Sequence, residues 1–152
     1  MRLLILAVGR VKSGPLAALQ KEYAHRLTWP LEIREVEERR ALAGAERKAR
    51  EGELLLAALP EGAKLVALDE RGKPLTSRDF ARQLGRWRES GTKTLAFILG
   101  GADGLAPPVL ERARLTLSLG AMTWPHLLAR TLLLEQLYRA QQILAGHPYH
   151  RD

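Results

Sequence analysis

Five short stretches of the chain are dense in apolar residues: Leu3–Val8, Leu31–Val36, Lys64–Leu68, Thr94–Leu99 and Leu115–Leu119. Each stops at a Gly, an Asp or a Glu, and their length and composition predict strands. Between them apolar residues recur at helical spacing over Leu16–Leu27, Ala43–Leu59, Ser77–Arg88, a short segment beginning near Pro107, and Leu127–Leu144. Thr76 or Ser77 can cap the third helix, and Pro107 or Pro108 suits the first turn of the fourth. Strands alternating with helices predict an α/β fold, a largely parallel sheet with helices on both faces. No repeat or low-complexity linker divides the chain, so residues 1–152 read as a single domain.

Composition narrows the chemistry. Without Cys, disulfides, thiolate metal sites and cysteine nucleophiles drop out, and a cytoplasmic setting is expected. No apolar run approaches the ~20 residues of a membrane-spanning helix, and the opening Met1–Gly9 run reads as a buried strand rather than a leader. A formal charge of +7 favours a polyanionic partner, because basic groups that neutralise phosphates release counterions. The charges Glu37, Glu38, Arg39, Arg40, Glu46, Arg47, Lys48, Arg50 and Glu51 read first as a solvated helix face.

Two loops follow a strand and precede a helix, where open α/β sheets place ligands. In Leu99-Gly100-Gly101-Ala102-Asp103-Gly104-Leu105 the glycines let the backbone approach a ligand closely, although a plain turn needs the same residues. The second, Gly120-Ala121-Met122-Thr123-Trp124-Pro125-His126, could wrap a purine, or it could be a packed connector with Trp124 in the core. Gly9 to Gly14 has phosphate-loop spacing, but Pro15 and Leu16 stand where Lys and Ser or Thr are required, which excludes a nucleoside triphosphatase. No hydrolytic motif is present. The ending His147-Pro148-Tyr149-His150-Arg151-Asp152 holds groups that stack on bases or pair with phosphate. Two His with no third ligand predict no metal site. Glu135 and Arg139 form an i,i+4 pair.

Four segments, taken in order, resemble one family: Leu65 to Pro74, Gly100-Gly101, Leu119 to His126, and His147 to Arg151. The chain resembles the ribosomal RNA large subunit methyltransferase H family, a minimal branch of the SPOUT superfamily. The resemblance implies a C-terminal trefoil knot, which general topology rules disfavour, and an obligate homodimer holding S-adenosylmethionine in the knot loops. It implies methylation of N3 of a pseudouridine in 23S ribosomal RNA on the assembled ribosome, with no metal and no membrane. By motif position, Leu68, Gly100, Gly120, Ala121, Met122, Thr123, Trp124 and Pro125 would hold the cofactor. Tyr149, His150 and Arg151 would complete the active site beside the partner's cofactor, with His150 or Arg151 nearest the target base. Two other readings stay open on the residues alone: a non-catalytic RNA-binding module and a dinucleotide-dependent oxidoreductase.

Overall fold

The computed structural model describes residues 1–152. Its elements, in order, are β1 (Arg2–Val8), α1 (Pro15–Arg26), β2 (Leu31–Val36), α2 (Gly44–Ala57), β3 (Lys64–Pro74), α3 (Ser77–Glu89), β4 (Thr94–Leu99), α4 (Pro107–Arg112), β5 (Leu115–Ser118) and α5 (His126–Leu144). All five strands join one sheet in the order β2-β1-β4-β3-β5, and every strand pairing is parallel. The expected α/β class and the expected elements are therefore present.

Alternation along the strands explains the layers. In β1, Leu3, Ile5 and Ala7 point to one face, while Leu4 and Leu6 point to the other. Leu3, Ile5 and Phe97 meet Phe80, Leu84 and Trp87 of α3 and Leu133, Leu134 and Leu137 of α5. On the opposite face Leu4, Leu6, Ala96 and Ile98 meet Leu55 of α2 and Val109 of α4. A sheet buried on both faces has apolar strands throughout, which is why these runs look nearly continuous rather than alternating with polar residues. Helix α3 starts where expected, the Thr76 hydroxyl accepting from the Asp79 N–H at 3.1 Å.

The strand expected over Lys64–Leu68 extends to Pro74, because β3 is interrupted rather than ended. It pairs with β5 through Leu68, loses register over the next four residues, and pairs again at Lys73 and Pro74. The charged run Asp69-Glu70-Arg71 carries no strand periodicity, so the second half was invisible in the pattern. Gly72 permits the return: a Cβ there would stand 2.6 Å from the Thr116 carbonyl oxygen, a clash with backbone.

Helix α5 enters the core carrying a charge. Arg130 is 2% exposed; its Nη1 donates to Glu35 at 2.7 Å and its Nη2 to the Gly9 carbonyl at 2.9 Å. Glu35 also accepts the Val11 N–H at 2.8 Å. Burial pushes the Glu35 carboxyl up, but the Arg130 and Val11 bonds outweigh it and hold it below the usual carboxylate range. Gln20 of α1 adds a further tie, donating to Thr131 Oγ1 and to the Leu127 carbonyl, both at 3.0 Å.

Arg130 is buried but Glu35 keeps part of its carboxylate in solvent, so removing the guanidinium leaves the Gly9 carbonyl without this donor and the carboxylate partly solvated. Arg130→Ala should therefore lower unfolding free energy by about 1–3 kcal/mol in a urea titration. A change below about 0.5 kcal/mol, the size of an ordinary surface substitution, would show that the network carries no stability.

Candidate active site

Strands β1, β4, β3 and β5 end on the same edge of the sheet, and three irregular segments meet there. They are the break in β3, the loop after β4, and the loop between β5 and α5. Together they enclose a cavity of about 350 Å³. Its apolar wall comes from Leu68, Leu99, Leu117, Leu119, Met122 and Trp124, and its polar wall from Asp69, Glu70, Arg71, Asp103, Thr123 and His126.

Each segment has a reason for its shape. Gly101 and Gly104 bridge each other, Gly104 N–H donating to the Gly101 carbonyl at 3.1 Å. A Cβ on Gly100 would lie 2.6 Å from the Gly104 oxygen, so the loop doubles back more tightly than any side chain permits. Of the two explanations open for these glycines, the tight turn is the one these contacts show. The β5–α5 loop is tied to the β3 break: Thr123 Oγ1 donates to Glu70 Oε2 at 2.6 Å. Ser118 Oγ lies 3.0 Å from the Glu70 carbonyl and 2.8 Å from that of Gly120, and accepts the Gly120 N–H at 3.1 Å.

Of the expected cofactor residues, Leu68, Gly100, Gly120, Met122, Thr123 and Trp124 line the cavity. Ala121 and Pro125 belong to the same loop but do not line it, and both are exposed. Trp124 is 41% exposed, so the packed-connector reading that put it in the core does not hold. The other lining residues were not among the expected cofactor residues: Asp69, Glu70 and Arg71 lie in the Leu65–Pro74 segment, Leu99, Gly101, Ala102, Asp103 and Gly104 in the first loop, and Leu119 and His126 at the ends of the second, while Leu117 and Ala129 come from the elements beside them. Burial, then the nearby Arg130 charge, lowers the His126 pKa below the ordinary imidazole value, which favours the neutral ring.

The chain's ending forms a second cluster on the far half of α5. Tyr149 O–H donates to Glu135 Oε1 at 3.0 Å, and its ring lies 4.9 Å from the Arg139 guanidinium. Arg139 pairs with Glu135 at 2.6 Å, as the i,i+4 spacing predicted, and also reaches His150 Nδ1 at 3.1 Å. Because Arg only donates, that contact makes Nδ1 an acceptor and leaves the ring proton on Nε2, 3.2 Å from Asp152. Asp152 pairs in turn with Arg78. Arg151 is exposed.

None of Tyr149, His150 and Arg151 lines the cavity of its own chain. Glu135 lies nine residues along α5 from His126, roughly 13 Å at the helical rise. The two sets of expected site residues are thus assembled separately. No group of three or more His, Cys, Asp and Glu side chains is placed to hold a metal ion.

A parallel sheet with its cavity at the carboxyl ends of the strands, made by loops folded against one another, defines an α/β ligand-binding domain. The family model described as predicted SPOUT methyltransferase matches residues 1–150. A ribosomal RNA large subunit methyltransferase H from Rhodospirillum centenum is 60% identical over 151 residues, covering 99% of each chain. The chain belongs to the SPOUT methyltransferase family, with the ribosomal RNA large subunit methyltransferase H proteins among its near relatives. Two solved structures share the fold. A probable methyltransferase from Bordetella pertussis superposes with a TM-score of 0.61 at 16% identity, covering 91% of this chain and 95% of that one. The SpoU methyltransferase AviRb of Streptomyces viridochromogenes, in complex with AdoMet, gives 0.51 at 17%, covering 93% and 58%.

The tail cluster makes an optical prediction. Burial, then the bond to Glu135, pushes the Tyr149 phenol up to about 12, so it stays protonated across the physiological range. Since the neutral phenol is the form the fold favours, its contribution to stability is complete below about pH 10, the unfolded value, and is lost as pH rises through about 12. Ultraviolet titration should show one of the three tyrosines ionising late, and Glu135→Gln should bring it back toward the others. A late phenol that is unmoved by the substitution would break the link.

Proposed function

We propose that this chain transfers the methyl group of S-adenosylmethionine to N3 of a pseudouridine in 23S ribosomal RNA, on the assembled ribosome in the cytoplasm, as a homodimer. The observation that carries this reading is the separation of two incomplete sites. One is a loop-built cavity that none of the expected tail residues lines. The other is a cluster of Tyr149, His150 and Arg151 without a cavity.

The cavity fits the cofactor. Leu68, Leu99, Leu117, Leu119 and Met122 offer apolar walls for an adenine ring. The backbone of Gly100 and Gly120 can be approached without a side chain intervening, and Asp69, Glu70 and Asp103 suit a group that is positive at sulfur and at its amino end. When bound, the cofactor supplies an electrophilic methyl group. The protein's part is then orientation and exclusion of water, the contribution that proximity makes to a displacement. N3 of pseudouridine is an imide whose proton must leave, so its anion needs an acceptor or a positive neighbour. His150, whose Nδ1 accepts from Arg139 and whose Nε2–H is left to donate, and Arg151, exposed beside it, are suited to stabilising that anion while its proton passes to water.

A second copy would close the gap between the sites. Met122 is 77% exposed and Trp124 41%, apolar surface beside the cavity that a partner would cover. A tail from that partner could then reach the cavity that its own chain's tail does not line. The trefoil knot extends to this chain on the same reading. It is supported by β3 pairing with β5 on both sides of its break, with Gly72 against the Thr116 backbone. The exposed Arg71 at the cavity wall and the charge of +7 favour an RNA substrate.

The test is transfer of labelled methyl from S-adenosylmethionine to ribosomes lacking the modification, with free 23S RNA in parallel and the labelled nucleoside identified by mass. Label on N3 of pseudouridine in ribosomes is expected. No transfer to either, from folded dimer, would leave a non-catalytic RNA-binding module.

Two variants test the composite site. Gly100→Ala forces a Cβ onto backbone and should weaken cofactor binding at least about tenfold in calorimetry, ~1.4 kcal/mol, while His150→Ala or Arg151→Ala should lower turnover far more than cofactor affinity. Mixed at equal amounts and allowed to exchange subunits, the two inactive kinds should recover roughly a quarter of wild-type activity, because half the dimers are mixed and each then holds one intact site. No recovery would mean that each tail serves its own chain.

A further inference from the structure

Two buried side-chain atoms lack any hydrogen-bond partner: Arg130 Nε and Glu51 Oε2. Arg130 satisfies its other nitrogens, so Glu51 is the odder case. It is 4% exposed, sits on α2, and faces the back of the loop that walls the cavity. A Cβ on Gly101 would stand 2.9 Å from Glu51 Oε2 and 3.0 Å from Val8 Cγ1. Gly101 is therefore glycine because the carboxyl occupies the place of its side chain.

Ionised, the carboxylate would keep Oε2 buried without a donor, an arrangement that costs free energy and is relieved by taking up a proton. The charges around it do not rescue the anion. Asp103 from the glycine loop and Glu38 from the segment before α2 oppose ionisation, and only Arg47, one turn back on α2, favours it. Val8 of β1 contributes only apolar contact. Burial first, then Asp103, pushes the carboxyl up from its ordinary range. Asp103 itself lies in the cavity wall, with its Oδ1 3.4 Å from where a Cβ on Gly44, at the start of α2, would stand. The Gly100–Gly104 loop thus rests on one carboxyl and carries another.

We propose that Glu51 is a positioning residue of the cofactor site: in its neutral form it seats the Gly100–Gly104 loop in the shape that accepts the cofactor, and in its ionised form it displaces that loop. This rests on the reading that the cavity takes S-adenosylmethionine. Binding then draws one proton from solvent onto the Glu51 carboxylate whenever the free protein holds it ionised. Affinity is greatest at acidic pH and falls as pH rises through the range where Glu51 ionises in the free protein, by at most about tenfold per pH unit for a single proton. Glu51 touches neither cofactor nor base; it acts through Gly101.

The experiment is calorimetric titration of the full-length protein with S-adenosylmethionine from about pH 5 to about 8.5, in buffers of differing ionisation enthalpy so that proton uptake is counted. Wild type should take up protons and weaken with pH. Glu51→Gln, neutral at every pH, should keep the acidic-pH affinity to within about threefold, ~0.7 kcal/mol, and lose the uptake assigned to Glu51. His126 also faces the cavity and titrates in both proteins, so the difference between them isolates Glu51. An infrared difference spectrum on cofactor binding, with and without ¹³C-labelled Glu, needs no variant. A protonated-carboxyl band should grow at neutral pH and shift with the label. Binding without proton uptake, uptake undiminished in Glu51→Gln, or no such band would overturn the proposal and leave the cofactor reading intact. Folded wild-type protein that binds no S-adenosylmethionine at any pH would overturn both.

Discussion

Much of this molecule hangs on a guanidinium buried under a turn. Arg130 reaches from the second turn of α5 to Glu35 of β2 and to the carbonyl of Gly9, just past β1. That contact sets where α5 begins relative to the ends of the strands, and the start of α5 carries His126 and the loop leading to it. Gly9 belongs to the same contact, since a Cβ there would stand 3.3 Å from His126 Nε2. An ion pair in this position adds little stability compared with good apolar packing, but it tolerates few alternative arrangements. It fixes geometry where the cavity has to be built.

The cavity is a product of interruptions. Regular α/β packing leaves the carboxyl ends of strands open, and here three departures from regularity fill that space. Strand β3 breaks and resumes, the chain after β4 doubles back between glycines, and the segment after β5 is tied down by Ser118 and Thr123. The first two bring backbone against backbone, so the cavity can offer amide groups as well as side chains. The carboxyl groups around it are each held differently: Glu70 by Thr123, Asp69 by Arg71, and Glu51 by nothing.

The division between cavity and tail suits a small enzyme with a large substrate. On the function proposed above, two copies laid against a composite surface would supply together what the cavity or the tail alone does not. Glu135 and Arg139, which look on the helix like an ordinary surface pair, order Tyr149 and His150. An otherwise mobile ending is thereby presented as a fixed group of rings and charges.

Local pattern determined the elements, because strand and helix periods are written in neighbouring residues. Leu3–Val8 and Thr94–Leu99 announce buried strands, and Thr76 announces the start of α3 without reference to anything distant. Their place between a strand and a helix picked out the Gly100 and Gly120–His126 loops, residue types picked out the tail, and the resemblance gave each an expected role. The β3 continuation past Asp69, the exposure of Trp124, the burial of Glu51 beneath Gly101 and the distance of the tail from the cavity were decided only by the folded chain. For β3 and for Glu51 the deciding contact joins residues far apart in sequence: Gly72 with Thr116, and Glu51 with Gly101. Whether a carboxyl is solvated or trapped depends on which backbone passes over it, and no local period records that.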